Sequence, residues 1–229
     1  MPCTHSMPVS SSAASTRSGG TLVSVDGRTL PLTSTELSGE VRGGYGRITV
    51  CQTFQNPHAE PLRVTYQVPL PADGAVAGFS FRIGDELVRG EVDKKARARE
   101  RFEEAIATGR TAAILDQERS SLFTQEVGNI PPGQTVVVTL HVDQRLRWIA
   151  DAAATRGGWE WRFPTVVAPR YLGAPGRVSD AAAVSVEVAD APTTPRVHLK
   201  LTIAEPVAEG TRPGSPSHTL ALSHAGGKL

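Results

Sequence analysis

Apolar residues at every second position, in segment after segment, constrain this chain more than any other feature. Side chains along a strand alternate between two faces, so a strand half-buried against a core reads apolar, polar, apolar. In "RITVCQTF" Ile48, Val50 and Phe54 share a face, and in "RVTYQVPL" Val64, Tyr66, Val68 and Leu70 do. "FSFRI" repeats the pattern at Phe79, Phe81 and Ile83, and "TVVVTLHV" at Val136, Val138, Leu140 and Val142. "WEWRF" aligns Trp159, Trp161 and Phe163. Many short alternating segments and a single helical one predict a mainly β fold, an antiparallel β-sandwich with one amphipathic α-helix inserted at about residues 93–108.

Turn chemistry joins the segments. Asn56-Pro57 in "QNPHAEP" favours a turn, and the runs on either side of it read as a hairpin with a long loop. Gly84-Asp85 separates "FSFRI" from "ELVRGEV" and suits a tight primed turn, because glycine tolerates positive φ. Pro132-Gly133 fits the central positions of a type II turn. "TAAIL" and "SLFTQEV" follow the helix as further strands.

Both ends differ in character. Met1–Gly20 is Ser/Gly/Ala-rich and aperiodic, which predicts a disordered tail. From Leu172 to Pro195 the chain is rich in Gly, Ala and Pro, with "AVSVEV" as the strand candidate. "RVHLKLTI" then alternates, with Val197, Leu199, Leu201 and Ile203 expected inward and His198, Lys200 and Thr202 outward. "HTLALSH" repeats the pattern. These two late strands are expected to belong to an incomplete accessory sheet.

The helical stretch, "DKKARARERFEEAIATGR", places Val92, Ala96, Phe102, Ala105 and Ile106 on one side at helical spacing. Asp93 suits the N-cap and Gly109 the left-handed residue that ends a helix. The charges run against the macrodipole. Lys94, Lys95, Arg97, Arg99 and Arg101 crowd the start while Glu103 and Glu104 sit near the end, at a cost of a few tenths, roughly, of a kcal/mol per charge. Burial of Phe102 and Ile106, on the order of 4 kcal/mol together, must hold such a helix, and closing the β core is the role expected of it. A nucleic-acid interface is the competing reading of the basic half. The interspersed Glu100, Glu103 and Glu104 and a net charge of +1 for the whole chain favour a solvated outer face.

The order and spacing of several motifs resemble the VIT domain, the vault protein inter-alpha-trypsin module, over Gly20 to Tyr171. They are Asn56-Pro57, "YQVPLP" with Pro69, Leu70 and Pro71, and "AVAGFSFRIGDELVRGEV" with Phe79, Gly84, Asp85 and Gly90. "ARERFEEAIATGRTAAIL" supplies Ala98, Phe102, Ala105 and Gly109, and "LFTQEVGNIPPGQTVVVTL" supplies Phe123, Gly128, Pro132 and Gly133. "FPTVVAPRY" closes the series with Pro164, Pro169, Arg170 and Tyr171. Two departures are Val142, where the family usually carries an aromatic, and Phe102, where it often carries tyrosine. The resemblance implies a tail at 1–20, the domain at 21–171, and a linker with strands of a linking region at 172–229. It also implies a non-enzymatic scaffold that packs against or presents a von Willebrand factor A-type domain, in adhesion, matrix binding or protein assembly. Such a domain would carry an Asp-x-Ser-x-Ser metal motif, and the chain contains none.

The residues themselves offer little catalytic chemistry. The six histidines, His5, His58, His141, His198, His218 and His224, are scattered without metal-ligand spacing. There is no Gly-x-Ser-x-Gly elbow and no P-loop, and "GGYG" precedes a strand rather than a helix. Cys3 and Cys51 form no disulfide framework, and their settings do not favour a bond between them. No cofactor or metal is expected. Trp159 and Trp161 could offer a platform for a carbohydrate or protein ligand, though a core role is the commoner one for such a pair. Arg170 could pair with Asp85, Asp116 or Glu126. The N-terminus lacks the apolar region of a secretory signal, which makes the cytoplasm the default compartment and leaves an extracellular one open if the true start lies upstream, and no apolar run is long enough to span a membrane.

Overall fold

The alternating segments form two sheets whose apolar faces meet. The structure, a computed structural model, describes residues 21–24, 26–89, 95–110, 112–119, 122–150, 157–165, 197–205 and 212–223. The strands are β1 (Thr21–Ser24), β2 (Thr29–Leu30), β3 (Leu32–Arg42), β4 (Tyr45–Gln55), β5 (Leu62–Pro69), β6 (Gly74–Ile83) and β7 (Glu86–Arg89). After helix α1 (Lys95–Ala107) come β8 (Ala112–Arg119), β9 (Leu122–Ile130), β10 (Thr135–Arg145), β11 (Arg147–Ala150), β12 (Gly157–Glu160) and β13 (Val197–Ile203). One sheet has five strands in the order β2-β1-β5-β9-β8, the other six in the order β13-β3-β4-β10-β6-β7. Strands β11 and β12 form a separate ribbon. Among the described strands all pairings are antiparallel except β13 with β3.

The core lies between the two large sheets. Val136, Val138, Leu140 and Val142 of β10 face Val64, Tyr66, Val68 and Val127 of the other sheet in one apolar cluster. The ring of Tyr66 stands edge-on to Phe54 and to Phe81, each with centroids 6.0 Å apart, the arrangement that the ring quadrupole favours. The buried hydroxyl of Tyr66 donates to Gln52 Oε1 at 2.6 Å, and Gln52 Nε2 donates to Thr35 Oγ1 at 3.3 Å. Burial raises the Tyr66 pKa, so the phenol stays neutral and remains a donor.

The predicted turns are present. Gly84 adopts φ +57° in the two-residue loop that pairs Ile83 with Glu86. Gly133 adopts φ +70°, and the Gln134 amide donates to the Pro131 carbonyl across the turn.

The structure corrects several other expectations. β4 and β5 are not a hairpin: β4 lies in the six-stranded sheet and β5 in the five-stranded one. The loop between them crosses the sandwich, because alternation fixes which face a strand buries but not which strand it pairs with. β12 ends at Glu160, so Trp161 and Phe163 do not continue its face. β13 joins the main sheet beside β3 rather than an accessory sheet. Its first half is also less covered than expected, since Val197 and Leu199 are exposed while Leu201 packs on the core. "HTLALSH" forms no strand over its described part, and Leu220 and Leu222 are exposed. Pro213 and Pro216 just before it lack amide donors. Cys51 is disulfide-bonded, contrary to expectation, and the other cysteine, Cys3, lies outside the described residues.

Helix α1 does not close the main core. It lies on the outer face of the five-stranded sheet, where Phe102, Ala105 and Ile106 form a cluster of their own. Gly128 makes the approach close enough: a Cβ there would sit 2.1 Å from Ile106 Cδ1. The helix ends as predicted. Gly109 has φ +75°, its amide donates to the Ile106 carbonyl, and the Arg110 amide donates to the Ala105 carbonyl, the paired bonds of a Schellman cap. The proposed N-cap, Asp93, lies outside the described residues, as do Val92 and "AVSVEV".

Candidate functional site

Three groups of polar or aromatic side chains stand out, and the first explains the Asn56-Pro57 motif. Asn56 is fully buried where the β4–β5 crossover meets the β9–β10 turn. Its Nδ2 group donates to the carbonyls of Glu60 (3.2 Å), Ile130 (3.1 Å) and Pro131 (3.0 Å). Its Oδ1 accepts from the His58 amide at 3.0 Å. The Asn56 backbone adds bonds to the Gln134 carbonyl and from the Gly133 amide, both at 2.9 Å. One side chain thus satisfies buried backbone of two connections that leave no room for ladder bonds. The sequence signalled a turn here, not the second segment it holds.

The second group clamps the helix. Arg63, on the outer face of β5, donates to Glu103 of the helix at 2.9 Å and to Glu126 of β9 at 2.7 Å. Its guanidinium also lies 4.9 Å from the centroid of the Phe102 ring, within cation–π range. Hydrogen bonds to Glu103 and then Glu126 raise the Arg63 pKa against a smaller desolvation effect. Asn129, in the left-handed region at φ +58°, donates Nδ2 to the carbonyls of Ile106 (3.2 Å) and Arg110 (2.9 Å) and so caps the helix end from the sheet. Glu126, a candidate partner for Arg170, is engaged by Arg63. Neither Arg63 nor Asn129 carried a sequence signal, because each acts across the fold.

The third group is aromatic and exposed. Trp148 of β11 and Trp159 of β12 are direct cross-strand partners, with ring centroids 4.8 Å apart and planes at 72°. They are 52% and 44% exposed, and Tyr45 at the start of β4 is 65% exposed. The expected pair, Trp159 with Trp161, does not form. Trp161 packs against the main core and stacks on Phe163 at 5.9 Å. Gln144 holds that segment by donating to the Arg162 carbonyl at 2.9 Å. A shared Trp159/Trp161 platform is therefore not what this end of the molecule offers.

The other motif residues take backbone-shaping places. Pro69, Leu70 and Pro71 are buried at the end of β5, and the Gly74 amide donates to the Pro71 carbonyl. Phe79 packs against the core, and Pro164 is half-buried. Asp85 and Pro132 are exposed in their turns. Ala98, Asp116 and Phe123 lie in described elements whose side chains are not described there, and Pro57 is exposed. Gly90, Pro169, Arg170 and Tyr171 lie outside the described residues.

Among the described residues no group of three His, Cys, Asp or Glu could hold a metal. A hydroxyl and an imidazole do meet at Thr49 Oγ1 and His141 Nδ1, 3.1 Å apart on the outer face of the six-stranded sheet. The carboxylate two residues on, Asp143, is turned to Arg47 in a two-bond pair at 2.8 and 3.2 Å. It therefore does not orient the imidazole as a nucleophile–base–carboxylate relay requires. His58 and His218 sit in bends and His198 on β13.

The model of the Vault protein inter-alpha-trypsin domain matches residues 32–142. Among similar proteins, the mouse protein mono-ADP-ribosyltransferase PARP4 is 33% identical over 111 residues, 48% of this chain and 6% of that protein. The human von Willebrand factor A domain-containing protein 5A is 30% identical over 144 residues, 62% of this chain and 18% of that protein. Its mouse counterpart is 27% identical over 184 residues, 80% of this chain and 22% of that protein. The chain thus spans less than a quarter of the length of each of these relatives.

Proposed function

Residues 32–142 belong to the vault protein inter-alpha-trypsin domain family, and from that premise we propose that the chain is a non-enzymatic scaffold that packs against or presents a von Willebrand factor A-type domain. Adhesion, matrix binding and protein assembly are the settings for such a role. The observation that carries this reading is the extent of the similarity to von Willebrand factor A domain-containing protein 5A. It runs over 184 residues in the mouse protein, well beyond the domain itself, while covering 22% of that protein. The activity in the name of PARP4 belongs to a protein of which this chain covers 6%. The polar clusters support the same reading. Asn56, Arg63 and Asn129 tie backbone and elements to one another, which is what a rigid platform needs.

The test is isothermal titration of the full chain with the von Willebrand factor A domain of the human 5A protein, offered as a separate molecule. The expected result is a one-to-one complex with Kd of about 10 µM or tighter, roughly 7 kcal/mol of binding free energy. An absence of heat and of co-elution at about 100 µM of each partner would refute the pairing.

A further inference from the structure

We propose that the end of the six-stranded sheet at Tyr45, together with the adjoining ribbon that bears Trp148 and Trp159, is a docking surface for an acidic peptide segment with apolar side chains, carried by a partner protein. The proposal rests on the interaction-module reading and gives it a location and a ligand chemistry.

The aromatic groups are held out rather than loosely exposed. A two-stranded ribbon is marginal in water without further packing, and β11 and β12 pair only with each other among the described residues. Each tryptophan rests on a glycine: Trp159 ties the ribbon to the β3–β4 turn at Gly44, and Trp148 packs within the ribbon on Gly157. A Cβ at Gly44 would lie 2.7 Å from the Trp159 ring, and one at Gly157 would lie 2.2 Å from the Trp148 ring. Leu146, just before the ribbon, donates its amide to the Gly44 carbonyl at 2.8 Å. Rings fixed in this way supply contact area at small entropic cost. Tryptophan, tyrosine and arginine are also the side chains that dominate binding energy at protein interfaces.

The charge around the rings selects the partner. Arg42 and Arg145 are the ladder partners of Tyr45 on its two sides, and Arg147 opens β11. None of the three has an ion-pair partner among the described residues, whereas Arg28, Arg47, Arg63 and Arg162 all do. Of the nearby carboxylates, Glu160 pairs with Arg162 at 2.6 Å, while Glu205, which accepts from the Gly43 amide at 3.1 Å, and Asp73, whose carbonyl accepts from the Arg145 amide at 3.2 Å, keep their charge, so the three guanidinium groups outnumber them. The result is a local positive field on a chain of net charge +1. An acidic segment meets that field, and its apolar side chains cover the rings. A nucleic acid fits less well, because the edge-to-face geometry of the two tryptophans leaves no parallel slot for a base.

The test uses the full chain and fluorescence anisotropy of a labelled peptide alternating glutamate with leucine and phenylalanine. Its controls are the same peptide with lysine for glutamate, a polyglutamate peptide and oligothymidylate. Wild type should prefer the acidic apolar peptide over the lysine version by about a hundredfold, with affinity falling as salt rises. The double variant Arg42→Glu/Arg145→Glu should lose at least about tenfold in affinity at an unchanged melting temperature. Tyr45→Ala should weaken binding without reversing the charge preference. The proposal is overturned if wild type fails to bind the acidic apolar peptide, if the charge-reversed variant binds it equally well, or if polyglutamate or oligothymidylate binds as tightly. Titration with the von Willebrand factor A domain in parallel separates the two ideas. Complex formation there with no peptide binding sinks this surface and leaves the scaffold reading standing.

Discussion

Replacing Asn56 with alanine removes a group that no neighbour can replace. Its Nδ2 hydrogens are shared among the carbonyls of Glu60, Ile130 and Pro131, and its Oδ1 serves the His58 amide. The alanine variant leaves the buried Ile130 carbonyl without this donor and loosens both connections at once. At roughly 0.5–1.5 kcal/mol net per hydrogen bond, with a larger penalty for a buried group left unpaired, the loss comes to about 2–4 kcal/mol. That is a large share of a typical stability of about 5–15 kcal/mol. For a domain of this size it lowers the melting temperature by about 5–15 °C. Asn56→Asp is the sharper comparison, because it keeps the shape and the acceptor but turns a donor into a carboxylate facing three carbonyl oxygens. It should be at least as destabilising as alanine and should recover in part as the pH falls and the carboxyl protonates. Thermal and urea unfolding followed by circular dichroism measure both variants. A loss below about 0.5 kcal/mol for alanine, the range of ordinary surface substitutions, would refute the role assigned to Asn56.

Further outcomes follow from other sites. Gly128→Ala places a methyl group 2.1 Å from Ile106 Cδ1, so the Ile106 side chain must turn away or the helix must shift, and either loosens the contact at a cost of about 1–3 kcal/mol. Faster amide exchange in α1 with unchanged exchange in β10 is the expected signature, and unchanged exchange in the helix would contradict the docking. Gln125 is fully buried and its amide meets no partner among the described residues, so Gln125→Met should leave the melting temperature equal or higher. A loss above about 1 kcal/mol would show that the amide is satisfied. Hydrogen bonding to Arg47 holds the Asp143 carboxyl below its usual value of 3.8, against a smaller effect of burial. The pair therefore stabilises the fold above that pH, and its contribution fades as pH falls through the lowered pKa. Both side chains are well exposed, so the effect is small. Asp143→Asn should be slightly less stable than wild type at neutral pH, with the difference shrinking as the pH falls below the usual carboxylate range, and a difference that grows on acidification would reverse the assignment.

Much of the fold was legible in local pattern. Val136 to Val142 alternate in sequence and alternate in burial along β10. Gly84, Gly109 and Gly133 take the positive φ that their turns require. What stayed hidden depends on contacts between distant segments. The loop after Asn56 reads as a hairpin because its length permits one, yet its strands belong to different sheets. The apolar stripe of α1 marks a buried side without saying which surface buries it, and the answer turns on Gly128, whose role is visible only beside Ile106. Trp148 alternates with Arg147 after Leu146, but it becomes notable only when β12 sets Trp159 against it. Trp161, by contrast, has the right period for a shared face but lies past the end of its strand.

The central claim, that this β-sandwich is a platform for a von Willebrand factor A-type domain, is tested most directly by hydrogen exchange of the full chain with and without that domain at saturating concentration. The account predicts that one contiguous set of exposed residues becomes protected while exchange in the core strands β4 and β10 is unchanged. Identical exchange along the whole chain in the two samples would contradict it.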